Sequence, residues 1–414
     1  MKFSSSAVLG VALVSGFACP AWAAGAGNTA AQAASQPAPV QIEWDARVRH
    51  ESVDDSGYAR DARADTLRLR LGLSAELGNG WSTLLEGAGL VSADDHYNSG
   101  ANGHASYPVI SDPQSSELNQ LWLRWARQDV AITLGRQRII VDNQRWVGNV
   151  GWRQLEQTYD ALASEWRPAD GWLLRYDWFD RVHRVSGPDA LNPLARARAL
   201  NTHILNVSRA TATQKWIGYA YLHEDRDVAA LSSATVGMRW VGDEAKQGNG
   251  PGWAVEVARQ RDYANNPTSY SLAYWLLEPS WTINGTTARL GWEHLGSNAS
   301  VAVQTPLATL HLFNGWDDRF LTTPSGGLDD RYLMFNGALS RSGPGAHLAW
   351  TVRYHDFRAV HGGRYGSEWD AALGFPVAAG IHGLLKMARY RADGFGNDDT
   401  KLWLQFEWQG RHAL

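Results

Sequence analysis

The stretch LRLRLGL, residues 67–73, alternates leucine with arginine. Leu67, Leu69 and Leu71 are separated by Arg68 and Arg70. Successive side chains of a β-strand point to opposite faces, so a strand with this sequence has one apolar face and one cationic face. The stretch therefore predicts a strand that separates an apolar environment from a polar one.

The same period of two recurs along the chain in eighteen segments. A soluble β-sandwich would show the same alternation, but most of these segments are about ten residues long, which a tilted strand needs to cross a bilayer. No apolar run approaches the roughly 20 residues of a membrane-spanning helix. The predicted strands are residues 40–49, 65–77, 81–92, 117–128, 130–137, 157–166, 171–182, 201–210, 214–224, 232–241, 251–262, 269–277, 285–295, 331–340, 345–357, 365–372, 381–391 and 400–410.

The gaps between these strands mostly alternate between long and short, although the rhythm is unclear between 225 and 284. The gap at 50–64 is long and that at 78–80 is a bare turn, for example. The 21 Trp, 14 Tyr and 10 Phe suggest aromatic girdles at two membrane interfaces. We therefore predict an all-β fold, a transmembrane antiparallel up-and-down β-barrel of 18 strands over residues 40–414. It has short periplasmic turns and long extracellular loops, and its closure pairs every backbone group.

The N-terminus predicts export. Lys2 is the only charge in residues 1–23, an apolar core follows, and Ala21-Trp22-Ala23 has the small residues of a cleavage site, so this segment is interpreted as a signal peptide. Residues 24–39 are rich in small residues and predict a flexible leader. The single cysteine, Cys19, lies in the signal peptide, which excludes disulfides and thiolate sites from the mature chain.

Alternation also assigns the charged strand residues to the lumen, because a charge that faces lipid is costly. The inward arginines are predicted to be Arg47, Arg68, Arg70, Arg124, Arg175, Arg239, Arg289, Arg353 and Arg389. The inward carboxylates are predicted to be Glu43, Asp45, Glu86, Asp160, Asp177, Glu256, Glu293, Glu368, Asp370 and Glu407. The predicted lumen is therefore of mixed charge.

A second group of arginines, Arg136, Arg138, Arg145 and Arg153, lies in and beside the predicted loop 138–156. If this loop folds into the barrel mouth, the four form a cationic constriction that selects anions, because guanidinium groups pair well with carboxylates. Arg153 is the strongest candidate for solute contact, with Asp160 as its structural partner. The alternative is that the arginines pair with Asp142, Glu156 and Asp160 and only attach the loop to the wall.

This segment resembles the signature of the alginate export porin family. The matching positions are Gly135, Arg136, Gln137, Arg145, Gly148, Trp152, Arg153, Gln154, Tyr159, Asp160 and Ala161, whereas Asn143 replaces one member of the family's acidic pair. A second stretch, 305–332, is similar to another marked segment of the family. It matches at Thr309, His311, Phe313, Gly315, Trp316, Asp318, Phe320, Pro324, Gly327, Leu328 and Asp330.

The resemblance implies an outer-membrane channel for passive diffusion of an anionic, alginate-like polysaccharide or of small anionic solutes. The late turns at 341–344 and 373–380 are shorter than the lumen-guarding turn expected of an alginate exporter, and Trp408 is followed by six further residues rather than ending the chain. The expected partners are outer-membrane lipid and lipopolysaccharide, the permeant anion and the barrel-assembly machinery.

Other function classes have weaker support. A general or sugar-uptake porin is the main alternative, and an adhesin remains open. An outer-membrane enzyme would need a nucleophile and base, yet no spacing connects His355, His347 and Ser340. His311, Trp316 and Asp318 are interpreted as loop-packing residues, since no metal-ligand or catalytic motif is present. We expect no cofactor, no metal and, at a net charge of −4, no nucleic acid.

Overall fold

The computed structural model describes residues 40–242, 249–340 and 347–414. The predicted signal peptide (1–23), the leader (24–39) and the predicted turn at 341–344 lie outside these ranges. Within them, eighteen strands form one sheet in which consecutive strands are antiparallel neighbours. The first strand pairs with both the second and the last, so the sheet closes into a barrel.

All eighteen predicted strands are confirmed, and most extend beyond their predicted ends. The strands are β1 (Gln41–Asp55), β2 (Ala62–Gly78), β3 (Trp81–Ser92), β4 (Ser115–Arg127), β5 (Val130–Gln137), β6 (Thr158–Trp166), β7 (Trp172–His183), β8 (Ala197–Ala210), β9 (Gln214–Asp225), β10 (Ser233–Gly242), β11 (Gly250–Asp262), β12 (Ser271–Ile283), β13 (Thr286–Leu295), β14 (Leu328–Ser340), β15 (His347–Arg358), β16 (Arg364–Ala378), β17 (Ile381–Ala392) and β18 (Asp399–Ala413).

From β1 to β9 the connections between strands alternate between longer and shorter ones, but between 225 and 284 the alternation is lost, because the interval 226–232 is no longer than the interval 243–249. The first long gap was predicted too long, because β1 and β2 pair as far as Val53 and Ala62 and leave only residues 56–61. Short helical turns occur at Pro193–Arg196, Ala229–Leu231 and Leu310–Leu312. No helix in the described ranges is long and apolar enough to cross a membrane.

The period of two appears directly as burial. In β2, Leu67, Leu69 and Leu71 are exposed on the outside of the barrel, whereas Arg68 and Arg70 are buried inside it. The two-residue turn Asn79-Gly80 has positive φ at both positions (53° and 84°), which matches the twist of a tight hairpin and favours these residue types. The tight hairpins lie at the end of the barrel opposite the long loops.

The interior of the barrel is filled by two of the long loops, which we call the first infolded loop (residues 138–157) and the second infolded loop (residues 296–327). They pair with each other where Val147 lies in a parallel bridge with Leu307, and Gly148 N donates to Leu307 O at 2.9 Å. Buried apolar residues of both loops pack against inward tyrosines of the wall. The hydrophobic core therefore sits inside the barrel, around the loops.

Three sequence predictions of inward charge are wrong: Arg136, Asp160 and Arg389 lie on the outer face. Arg136 is opposite the exposed Leu121 in the β4–β5 register. It forms an ion pair with Asp160 (Nε–Oδ1, 2.9 Å). Arg389 is on the same face of β17 as the exposed Leu385. All three lie near the extracellular ends of their strands, where a charge can reach water and costs little.

Gly135 offers a test of the strand geometry beside the first infolded loop. Its φ is 122°, and an added Cβ would lie 2.3 Å from Leu121 O. Backbone in this region is strained for other residues, so Gly135→Ala is expected to destabilise the folded barrel by about 1–3 kcal/mol. Urea titration followed by gel mobility of the folded form measures the change. Gly89→Ala is the matched control, because a Cβ there meets no atom within 4 Å; equal stability of the two variants would contradict the prediction.

Candidate functional site

The first infolded loop is attached at one end to the β1–β2 wall by guanidinium groups. Arg47 Nη1 lies 3.2–3.3 Å from the carbonyl oxygens of Gly151, Trp152 and Arg153. Arg70 Nη2 donates to the carbonyl of the next residue along the loop, Gln154, at 3.2 Å. The inward wall arginines predicted from alternation therefore hold the loop backbone in this structure.

Arg49, which the sequence analysis did not select, belongs to the same wall. Its Nη2 donates to Trp152 O at 2.5 Å, and its guanidinium carbon lies 4.3 Å from the centre of the Trp152 ring. Arg68 completes the set with ion pairs to Asp45 and to Glu407 (3.3 Å). The alternation that selected Arg47 also predicts an inward Arg49, so the signal was present in the sequence.

The same loop reaches the opposite wall. Trp146 Nε1 donates to Glu256 Oε1 of β11 at 2.8 Å, and Tyr219 of β9 donates to the same oxygen at 2.6 Å. Arg145 Nε lies 2.7 Å from Glu293 Oε1 of β13. The loop therefore crosses the lumen, from the β1–β2 wall to the β11–β13 wall.

Arg145 does not line an open pore, which corrects the sequence prediction. Its side chain is 0% exposed and also donates to Asn314 of the second infolded loop at 3.2 Å. Burial alone would lower the pKa of Arg145, but Glu293, Tyr274 and Glu256 together outweigh burial and raise it. Arg145 is thus a charged structural contact between both loops and the wall.

Arg138 is the most accessible arginine of the first infolded loop, with 27% of its side chain exposed. Two of its nitrogens contact the carboxylate of Glu156, which Arg70 also approaches at 3.4 Å. Burial alone would raise the pKa of Glu156, but these two arginines reverse the effect and hold the pKa well below its usual range. The pairing of Arg138 with Glu156 is the one expected from the structural interpretation.

Arg153 is held by two carboxylates, Glu51 of β1 (3.4 Å) and Asp318 of the second infolded loop (3.0 Å). Asp160 is not its partner, which is a correction, because Asp160 is on the outer face with Arg136 and His183. Arg153 keeps 10% of its side chain exposed. In this conformation it links the two loops to β1.

The second infolded loop is fastened to the wall by a cluster around Lys386 of β17. The ammonium nitrogen lies 4.0 Å from the ring centre of Trp152 and 3.8 Å from that of Trp316, with Trp403 of β18 at 5.4 Å. A buried ammonium over aromatic faces is stabilised by the negative potential of the rings. The sequence analysis named Trp316 as a loop residue but missed Lys386, because only the fold brings these rings together.

His311 connects this cluster to the ion pairs. Its ring stacks on Trp152 with 4.5 Å between the centres and an interplanar angle of 5°. Its Nδ1 is 2.9 Å from Asp318 Oδ1 and its Nε2 is 2.5 Å from Lys386 Nζ. A neutral ring that donates from Nδ1 and accepts at Nε2 satisfies both contacts. The proposed packing role of His311, Trp316 and Asp318 agrees with these contacts.

Two inward arginines from the sequence analysis, Arg124 and Arg353, differ from the others. In the described ranges no carboxylate lies within 4.0 Å of either side chain. The guanidinium carbon of Arg353 lies 5.6 Å from the Trp316 ring centre and 5.7 Å from that of Tyr332. No group of three or more potential metal ligands occurs among the described residues.

Replacing Arg145 tests its structural role. Arg145→Gln leaves Glu293 buried without its cation, and the expected loss of stability is about 3–5 kcal/mol. Arg136→Gln is the control, because it removes a partly exposed pair on the outer face worth about 0.2–1 kcal/mol. Limited proteolysis of the two infolded loops and urea titration measure both effects. Equal losses of stability in the two variants would show that the burial of Arg145 does not determine how much it contributes to the free energy of unfolding.

The His311 cluster predicts an acid-sensitive attachment of the loops. Burial lowers the pKa of His311 from 6.5 to about 3, although Asp318 acts in the opposite direction. When the second infolded loop detaches, His311 leaves the buried cluster and binds a proton more readily than it does there. The attachment of the loop is therefore complete above about pH 6.5 and weakens as the pH falls toward 3. Protease cleavage of the second infolded loop should therefore increase between about pH 7 and about pH 4. His311→Asn should flatten this dependence; an unchanged pH profile would contradict the assignment.

The comparisons with known proteins agree with this architecture. The alginate export family profile matches residues 37–261, more than half of the chain. The fold is similar to that of OpdK from Pseudomonas aeruginosa, solved with vanillate (TM-score 0.66, 14% identity, 90% of this chain and 99% of that chain). It is also similar to OccAB2 from Acinetobacter baumannii (TM-score 0.69, 14% identity, 89% and 98%).

A third similar structure is OpdO from Pseudomonas aeruginosa (TM-score 0.67, 16% identity, 90% of this chain and 97% of that chain). No curated protein matches the sequence at a significant level. At these identities the solved structures show the barrel fold alone. The fold and the family profile together place the protein in the outer membrane as a porin-type channel, and the chain belongs to the alginate export family.

Proposed function

We propose that this channel passes small anionic solutes, carboxylates in particular, by passive diffusion through the arginine-containing lumen. The observation that carries the proposal is Arg353. It faces the lumen from β15, and no carboxylate of the described chain lies within 4.0 Å of its side chain, although Asp370 is its partner in the β15–β16 register and attracts it at longer range.

Aromatic rings leave the hydrogen-bonding capacity of a guanidinium largely unused. Among the residues that the structure describes, Arg353 Nη2 donates only to the sulfur of Met334, at 3.2 Å, and Nε has no hydrogen-bond partner. A thioether is a weak acceptor, whereas a carboxylate accepts two parallel N–H bonds from a guanidinium. A solute carboxylate would therefore be a better partner for Arg353 than the contacts it has now.

The infolded loops favour a small solute over a polymer. The first infolded loop crosses the lumen from Arg47 to Glu256, and Lys386 and Lys401 fasten the second infolded loop to the wall. A polysaccharide would need a continuous path past both loops, so its passage would require several buried ion pairs to break. A small solute needs only the space that remains around them.

The solved structure of OpdK was obtained with vanillate, so a barrel of this fold can hold a small organic anion. The alginate export family points to a uronate polymer, and short uronate oligomers combine the two properties. We therefore propose small carboxylates and short uronate oligomers as the permeant class. Assembly by the barrel-assembly machinery and contact with outer-membrane lipopolysaccharide are part of the same proposal.

Uptake of a neutral solute is the second candidate. A small cavity beside the first infolded loop is lined by hydroxyl and aromatic groups, including Trp146, Thr202, Tyr221 and Thr235. At about 20 Å³ this cavity has room for roughly one water molecule, so it gives this candidate little support. An enzymatic function has less support because the family profile and the fold are those of outer-membrane channels. Of the residues considered for it, His355 Nδ1 is bonded to Asp330 at 2.7 Å, and the side chains of Ser340 and His347 are outside the described part of the chain.

Ion selectivity in a planar bilayer tests the proposal. The reversal potential of the purified protein under a salt gradient is expected to show anion preference. Arg353→Gln should reduce the anion-to-cation permeability ratio by about fivefold, as expected for roughly 1 kcal/mol of charge interaction in a wet pore. Arg389→Gln is the matched control, because Arg389 lies on the outer face and should leave the ratio unchanged.

Blocking experiments then identify the solute class. Galacturonate or mannuronate oligomers should reduce the current of the unmodified protein more than neutral oligosaccharides of equal length. Cation preference, or equal block by neutral and acidic sugars, would reject the anion proposal and favour the neutral-solute candidate.

A further inference from the structure

The outer face of β14–β17 carries five arginines near its extracellular end. We call this group the outer arginine patch, and its members are Arg331, Arg358, Arg364, Arg389 and Arg391. Strand register places them together. Arg331 is opposite Asp356, Asp356 is opposite Ser367, and Ser367 is opposite Arg391, which makes one row across four adjacent strands.

Three of the five arginines have carboxylate partners. Arg358 and Arg364 both contact Asp356, at 2.7 and 2.6 Å, and Arg391 is paired with Asp398. These pairs are partly exposed and fix the orientation of the guanidinium groups more than they contribute to stability. These ion pairs therefore hold the side chains at the extracellular edge of the patch in fixed positions.

Arg331 and Arg389 have no carboxylate within 4.0 Å in the described ranges. The guanidinium carbon of Arg331 lies 4.7 Å from the ring centre of Trp292, which is 39% exposed. Arg389 is opposite Trp369 in the β16–β17 register, and Trp369 is 52% exposed. Asp329 lies near Arg331, but its Oδ1 accepts from Trp292 and contacts His294. Asp398 attracts Arg389, and Asp329 attracts Arg331, but only at longer range, so both guanidinium groups keep hydrogen-bonding capacity that the described protein carboxylates do not use.

The surface below the patch is apolar. Leu333, Phe335, Leu385 and Leu402 are exposed on the same outer face, one or more residue pairs further from the extracellular end. Exposed tryptophans beside the arginines mark the level of the lipid headgroups. The patch therefore lies where the headgroup of an outer-leaflet lipid meets its acyl chains.

We propose that the outer arginine patch binds a phosphorylated lipid of the outer leaflet, with its phosphate against Arg389 and Arg331 and its acyl chains along the leucine rows below. Guanidinium groups bind phosphate oxygens through paired, charge-assisted hydrogen bonds. The aromatic rings attract the two guanidinium groups at the membrane depth of the lipid phosphate, and the exposed leucine side chains below provide an apolar surface for the acyl chains. The site rests on the lipopolysaccharide contact of the proposed function and gives it a location, and it is independent of the pore and of its solutes.

The test uses the full-length protein in detergent with lipid A as the probe. Binding of bisphosphorylated lipid A is measured by native mass spectrometry, and the same lipid after enzymatic removal of its phosphates is the comparison. The double variant Arg331→Gln/Arg389→Gln removes both unpaired cations without breaking an ion pair within 4.0 Å in the described ranges. We expect it to bind the phosphorylated lipid about tenfold more weakly, which corresponds to about 1.4 kcal/mol for the two partly exposed contacts together.

Arg209→Gln is the matched control. Arg209 also lies over an exposed tryptophan, Trp172, with 5.4 Å from its guanidinium carbon to the ring centre, but at the periplasmic end of the barrel. It should bind lipid A as the unmodified protein does. Gel mobility of the folded form verifies that all variants are intact barrels.

Three results would overturn the proposal. The first is equal binding of lipid A by the double variant and the unmodified protein. The second is equal binding of phosphorylated and dephosphorylated lipid by the unmodified protein. The third is displacement of the lipid by inorganic phosphate at low millimolar concentration, which would assign the patch to free phosphate rather than to a lipid.

Discussion

A strand in a bilayer has no water to satisfy its backbone groups, and this constraint determines the architecture of the protein. Each N–H and C=O must pair with a neighbouring strand, and only a closed sheet provides every strand with two neighbours. Pairing of β1 with both β2 and β18 supplies that closure. The alternation of Leu67, Arg68, Leu69 and Arg70 then follows, because one face of each strand meets lipid and the other meets the lumen.

Closure creates a second problem, because a barrel of this size encloses a space that must be filled or left to water. The two infolded loops fill part of it, and they are held by charge rather than by apolar packing alone. Arg145 with Glu293 and Arg138 with Glu156 are pairs in which at least one member is buried. Such pairs contribute less net stability than their Coulomb energy suggests, but loss of one partner is costly. They therefore specify where the loops lie.

The strands were predictable from the sequence because a period of two is a local property. All eighteen segments can be read from apolar spacing, although the lengths of their connections give no clear rhythm between 225 and 284. The assignment of charges was less secure, as Arg136, Asp160 and Arg389 show. The rule that charges face inward holds at mid-membrane and fails near the extracellular rim, where the outer face is close to water and to lipid headgroups. Depth in the membrane, which alternation does not encode, decides these cases.

The contacts of the loops were not predictable, because they join residues far apart in the chain. Lys386 meets Trp152 and Trp316 only after β17 and both loops are in place. The arginines likewise differ in whether a carboxylate of the protein lies close enough to neutralise their charge. A guanidinium that already contacts a buried carboxylate, as in Arg145, cannot exchange that partner for a solute without leaving a buried charge uncompensated. Arg353 has Asp370 opposite it in the register but no carboxylate within 4.0 Å in the described ranges, so it could bind a solute carboxylate without breaking a close ion pair. On this argument the distance of the counter-charge, rather than the number of arginines, decides which arginines are available to a solute.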